Sequence, residues 1–143
     1  MRYMGTPLSI RFDEDLLLRL RRRAQATPGA TISGLAQQLV EEGLRMGEHP
    51  GILFKDGPAG RRPALAYGPD VWQVIKFLRE VDERGDAAVE ATAEMMNLTE
   101  GQVRTAMHYY SAHPTEIDDW IARADAEADA AYAAWEAEQR LLA

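Results

Sequence analysis

The sequence predicts a mainly α protein in three segments: residues 1 to 47, a strand followed by two helices; residues 48 to 114, a short β-hairpin leading into a helix-turn-helix-like module; and residues 115 to 143, one long helix. Three observations predict it. Apolar and polar residues alternate from Leu8 to Phe12, as on a strand with one buried face. Apolar residues recur at helical spacing through most of the remaining chain. Breaks rich in Gly and Pro at Thr27-Pro28-Gly29, His49-Pro50-Gly51, Asp56-Gly57-Pro58 and Gly68-Pro69-Asp70 separate the periodic stretches.

In the head, Leu8, Ile10 and Phe12 share one face of the strand, and Ser9 and Arg11 the other. One strand makes no sheet, and two helical patterns follow with no second strand, so the pairing edge belongs to a second copy of the chain. A homodimer through the N-terminal strand is expected. The first helix opens at Asp13-Glu14-Asp15, with Asp13 as cap and acids at the positive end of the helix dipole, and buries Leu16, Leu17, Leu20 and Ala24. After the Thr27 to Ala30 break, Thr31 caps a second helix carrying Ile32, Leu35, Ala36, Leu39, Val40 and Leu44.

This order resembles the ribbon-helix-helix repressors. The resemblance implies a dimeric two-stranded ribbon in the DNA major groove, with Ser9 and Arg11 against base edges and Pro7 at the ribbon edge. It also implies that Thr31 and the free amides of Ile32 and Ser33 hold a backbone phosphate, with Arg2 as a further phosphate contact. A plain dimerisation unit with Ser9 and Arg11 solvated fits the same residues.

With 143 residues, no cysteine and a net charge of -7, the chain reads as a cytoplasmic protein; neither a signal peptide nor a membrane span is expected, and Met4 is an alternative start. The charge is polarised. Residues 1 to 46 carry seven Arg against five acids, residues 47 to 114 seven bases against ten acids, and residues 115 to 143 two Arg against eight acids. A weakly basic head suits phosphate, and an acidic tail suits a basic protein surface or simple solvation.

In the middle segment, Ile52-Leu53-Phe54 and Ala64-Leu65-Ala66-Tyr67 flank the turn from Asp56 to Gly60 and read as a hairpin. A helix with Val71, Trp72, Ile75, Leu78 and Val81 follows, ending near Gly85. From Asp86 the pattern is helix-turn-helix: Val89, Ala93 and Met96, a turn at Asn97-Leu98-Thr99, then Val103, Ala106, Met107 and Tyr110. Its second helix exposes Glu100, Gln102, Arg104, Thr105 and His108, a nearly neutral face that suits a core or protein-docking module better than a second DNA reader.

His49-Pro50-Gly51, Gly60-Arg61-Arg62, the helix with Trp72 and the Leu98-Thr99-Glu100 turn together resemble a small bacterial family that joins a ribbon-helix-helix head to such a module. Its members are VapB-class antitoxins of type II toxin-antitoxin systems, partnered by PIN-like ribonuclease toxins. The resemblance implies toxin neutralisation and repression of the chain's own operon through operator DNA.

The tail is one helical pattern from Glu116 to Leu142, apolar at Ile117, Trp120, Ile121, Ala124, Ala128, Ala131, Tyr132 and Trp135. Aromatic anchors around an Ala-rich span suit a helix laid in a partner's groove; packing on its own domain or pairing in a dimer suits the same pattern. Carried over from the antitoxins, the reading makes Trp120, Tyr132 and Trp135 anchors on the toxin and sends Arg140 to the carboxylates of its Mg²⁺ site. Asp118, Asp119, Asp125, Glu127 and Asp129 would then oppose a basic rim. A contact through Trp72, Arg61 and Arg62 of the middle segment is the alternative.

No catalytic residue, metal site or cofactor is expected. His49, His108 and His113 lack metal-ligand spacing, there is no Cys, no Gly-rich phosphate loop follows a strand, and the carboxylates sit on helix faces without a paired His or Lys. An enzyme is the least favoured class, and a free-standing repressor whose middle module senses a ligand or protein is the main alternative to an antitoxin.

Overall fold

A computed structural model describes residues 5 to 143, so Arg2 and Met4 lie outside the described residues. Among those residues are six helices and one two-stranded antiparallel sheet, in the order α1 Glu14–Ala26, α2 Ile32–Glu48, β1 Ile52–Lys55, β2 Arg62–Leu65, α3 Val71–Glu80, α4 Asp86–Met96, α5 Glu100–Ala112 and α6 Pro114–Leu142. The protein is mainly helical, as its periodicity predicts. No helix of the described residues is long and apolar enough to cross a membrane. The chain divides into two compact units, the first ending at Leu44 and the second beginning at Arg45.

In the first unit the caps sit where the sequence places them. The Asp13 carboxylate accepts the Leu16 amide at 2.8 Å, and Thr31 Oγ1 accepts the Gly34 amide at 3.0 Å, each satisfying a donor that helix geometry orphans. Between the helices Ala30 N–H donates to Thr27 C=O at 3.2 Å, with Pro28 and Gly29 at the centre of the turn. Gly29 has φ +75°, a conformation that proline at the preceding position sets up and that only glycine takes without cost. The core is small: Leu20, Ala24 and Leu35, with Phe12, Ala36 and Leu39 packed against them.

The expected strand at Leu8 to Phe12 is not a strand in the single chain, where residues 5 to 13 form neither helix nor sheet. Leu8 is 82% exposed and Ile10 58%. The cause is the pairing argument itself: a strand needs a neighbour to bond with, and the one sheet among the described residues, β1 with β2, is closed by its own two strands.

The second unit is built on a hairpin backed by helices. β1 and β2 pair from Ile52 with Leu65 to Lys55 with Arg62, so the second strand starts two residues earlier and ends two residues earlier than its pattern suggests. The Gly68 amide returns to Leu65 C=O at 3.3 Å, turning the chain into the Asp70 cap of α3, where Gln73 Oε1 accepts the Asp70 amide at 2.9 Å. α3 stops at Glu80, before Gly85, which instead caps α4. The helix-turn-helix is present: Asn97 takes the left-handed conformation, φ 55° and ψ 48°, Leu98 N–H reaches back to Ala93 C=O at 2.8 Å, and Thr99 forms a capping box with Gln102.

Ile52 and Leu65 of the sheet, Val71, Val74 and Ile75 of α3, Val89 and Ala93 of α4, Val103, Ala106 and Tyr109 of α5, and Ile117 and Ile121 of α6 form one core. The start of α6 thus belongs to the second unit. Two substitutions there have opposite expected signs. Ile117→Ala leaves a cavity where nothing is exposed and is expected to lower unfolding stability by about 2 to 5 kcal/mol. Thr92 is also fully buried, and its hydroxyl has no hydrogen-bond partner among the described residues, so Thr92→Val is expected to raise stability by about 1 kcal/mol; urea unfolding of both variants checks the pair.

Candidate functional site

The residues that sequence reading assigns to DNA lie on the surface of the first unit. Ser9 and Arg11 are exposed in the segment before α1, and Thr31, Ile32 and Ser33 are exposed at the start of α2. An open hollow of about 460 Å³ at that helix start is lined by Arg21, Ala24, Gln25, Ala30, Thr31 and Ile32. Helix geometry leaves the first amides of α2 without intrahelical acceptors, and Arg21 of α1 borders the same hollow, so a cation and free N–H donors face one volume. Around this surface Leu8, Ile10, Leu16, Leu18, Ile32, Val40 and Leu44 are exposed, a large apolar area for so short a unit.

The residues assigned to a protein partner are split by α6. Trp120 is a core residue, 8% exposed, so the set that a partner can reach is Tyr132, Trp135 and Arg140. Tyr132 and Trp135 are exposed and stacked, with ring centroids 5.9 Å apart, and Arg140 pairs with Glu136 at 3.4 Å on the helix surface. From Asp125 onward every residue but the half-buried Glu136 is exposed. Two of the five acids named for a basic rim are engaged within the chain. Asp118 meets Arg79 at 2.6 Å and Asp125 meets Lys76 at 2.6 Å, tying α6 to α3. The Arg79 guanidinium, helped by the Tyr110 hydroxyl, holds the Asp118 carboxyl below its ordinary range, and hydrogen bonds that Lys76 donates to Asp125 and then Glu80 raise its ammonium.

The three histidines, which lack metal-ligand spacing in the sequence, come together with Tyr109: His108, Tyr109 and His113 all surround His49. His49 follows α2 directly and is buried; its Nδ1 lies 3.0 Å from Nδ1 of His108, which requires one ring to donate and the other to accept. His113 lies tilted against Tyr109 with centroids 4.7 Å apart and stands 5.6 Å from His49. The Tyr109 hydroxyl donates to Glu116 at 2.6 Å and accepts from Arg45 at 2.8 Å, while Arg45 meets Glu116 at 2.6 Å. Among the described residues no group of three His, Cys, Asp or Glu side chains is placed to hold a metal. Separations of 59 and 71 residues between partners hide this cluster from any local pattern.

The second feature missed in the sequence is a cleft of about 220 Å³ in the second unit. Pro58 and Ala59 of the hairpin loop form one wall, Trp72 of α3 another, and Trp120, Arg123 and Glu127 of α6 a third. Asp70 organises it: Arg62 Nε donates to its Oδ2, and Trp72 Nε1 donates to the same oxygen at 3.1 Å. Gly60 has φ +121°, a backbone conformation that only glycine takes without strain, and a Cβ there would make ordinary contact with Trp120 at 3.7 Å. The Gly60-Arg61-Arg62 and Gly68-Pro69-Asp70 stretches, singled out separately in the sequence, meet here.

Compared with family models, characterised proteins and solved structures, the chain matches none.

The Tyr109 cluster has a measurable consequence for stability. Burial, with the Glu116 carboxylate second, raises the Tyr109 phenol above its ordinary range. Below the ordinary tyrosine value near pH 10 the folded and unfolded chains both hold this proton and the network contributes in full. Above it the unfolded chain releases the proton first, so stability is expected to fall as pH rises. In an absorbance titration one of the five tyrosines is expected to ionise late, and Tyr109→Phe removes that late step.

Proposed function

We propose that this chain is a homodimeric ribbon-helix-helix repressor and the antitoxin of a PIN-like ribonuclease, binding operator DNA with its first unit and the ribonuclease with the free end of α6. The observation that carries the DNA-binding part is the unfilled apolar face of the first unit. Leu8 and Ile10 stand exposed beside a core of only three buried side chains among the described residues. Pairing two copies of residues 8 to 12 in an antiparallel ribbon covers those side chains, satisfies the backbone, and leaves Ser9 and Arg11 pointing outward to base edges. Thr31, Ile32 and Ser33, with Arg21 beside them, then hold a phosphate. The antitoxin part rests on the family resemblance of the middle segment and on the exposed Tyr132 and Trp135, which a groove on a partner would cover.

A free-standing regulator with a ligand-sensing second unit is the other reading, and the two-tryptophan cleft is what favours it. Purification from native cells separates the two: a stoichiometric small ribonuclease goes with the antitoxin, a lone dimer with the free-standing regulator.

Ile10→Lys places a charge in the paired face and is expected to abolish the dimer in sedimentation, at a cost of several kcal/mol. Arg11→Ala is expected to cost about 1 to 3 kcal/mol on operator and much less on random duplex; equal losses on both remove Arg11 from base reading.

For the tail, a chain ending at Ala130 lacks Tyr132, Trp135 and Arg140. It is expected to bind operator as a dimer and to leave RNA cleavage by the partner ribonuclease unblocked. Full inhibition by that chain moves the toxin contact to residues 49 to 110, where Trp72, Arg61 and Arg62 lie.

A further inference from the structure

We infer that the cleft between the hairpin loop and α6 binds a small aromatic carboxylate. This site uses none of the residues assigned to DNA and none from the end of α6, so it holds or fails independently of the function proposed above.

The first argument is the state of the two cations at the cleft. Arg62 is engaged with Asp70. Arg123 is stacked on Trp120, its guanidinium carbon 3.9 Å from the ring centroid, and it has no carboxylate within ion-pair distance among the described residues. A guanidinium flat on an indole keeps its planar edge of N–H donors free and fixed in direction, the arrangement that takes a carboxylate by two parallel hydrogen bonds. The stacking also prepays part of the ordering cost.

The second argument is the walls. Trp72 is fixed by its hydrogen bond to Asp70, and Trp120 is held by the core, so both indoles are rigid before any ligand arrives. Rigid aromatic surfaces favour a flat ring through offset or edge contacts. Size agrees: benzene occupies an engineered protein cavity of about 150 Å³, and 220 Å³ leaves room for one ring with a carboxylate. A dinucleotide or an extended peptide exceeds it.

The third argument is selectivity. Glu127, one turn beyond Arg123, also borders the cleft. It disfavours a second negative charge, so dicarboxylates and phosphate esters are excluded while a monocarboxylate directed at Arg123 is accepted.

The test uses the full chain labelled with ¹⁵N, whose three tryptophan indole N–H signals report separately on Trp72, Trp120 and the distant Trp135. Titration with phenylacetate at millimolar concentration is expected to shift the Trp72 and Trp120 signals saturably and leave Trp135 in place. The uncharged 2-phenylethanol is expected to bind about tenfold more weakly, the size of one charge-assisted hydrogen bond. Arg123→Gln, at an exposed position, is expected to erase that difference, and Arg123→Lys to restore part of it. Four results overturn the proposal: no saturable shift, equal binding of the alcohol, tighter binding of 2-phenylethylamine, or equal movement of Trp135.

Discussion

The Tyr109 hydroxyl is the point on which the second unit turns. A phenol with no exposure must find partners inside the protein, and this one finds them on two other elements, Glu116 of α6 and Arg45 of α2. The two charged partners also meet each other, so neither is left uncompensated. That closed triangle fixes the last turn of α2 and the first of α6 against α5. It thereby sets where His49 falls, where β1 begins, and at what angle α6 leaves the core.

Local chemistry was readable in the sequence wherever one residue serves its own neighbours. The caps at Asp13 and Thr31 and the turn at Asn97-Leu98-Thr99 stand where spacing placed them, because each needs only partners a few positions away. Boundaries slipped where a distant partner intervenes. Arg62 joins β2 because it pairs with Lys55 in the ladder while its side chain is drawn to Asp70. α3 ends early beside a local arrangement instead, in which the Arg84 guanidinium donates to the carbonyls of Val81, Asp82 and Glu83 in the linker before Gly85.

Trp120 shows why site residues were harder to read than elements. The spacing of Ile117, Trp120 and Ile121 is the same whether the stripe faces a core or another protein, and only the presence of α3 and α5 beside it makes it core. The cleft and the histidine cluster were invisible for a related reason. Each assembles residues from three or four elements, and no single stretch contains enough of either to stand out. The alternation from Leu8 to Phe12 is the opposite case, a legible pattern that forms no strand in the single chain.

The outer part of α6 has a consequence for the lifetime of the protein. Beyond Asp125 the helix extends 17 residues, about 26 Å, with every side chain but that of Glu136 exposed. Such a segment opens and closes by local fraying, without cost to the packed core. Its susceptibility to proteases is therefore set by the helix alone and is uncoupled from the melting temperature of the second unit. A partner that covered Tyr132 and Trp135 would protect the chain from cleavage there, and its occupancy would then be converted into abundance.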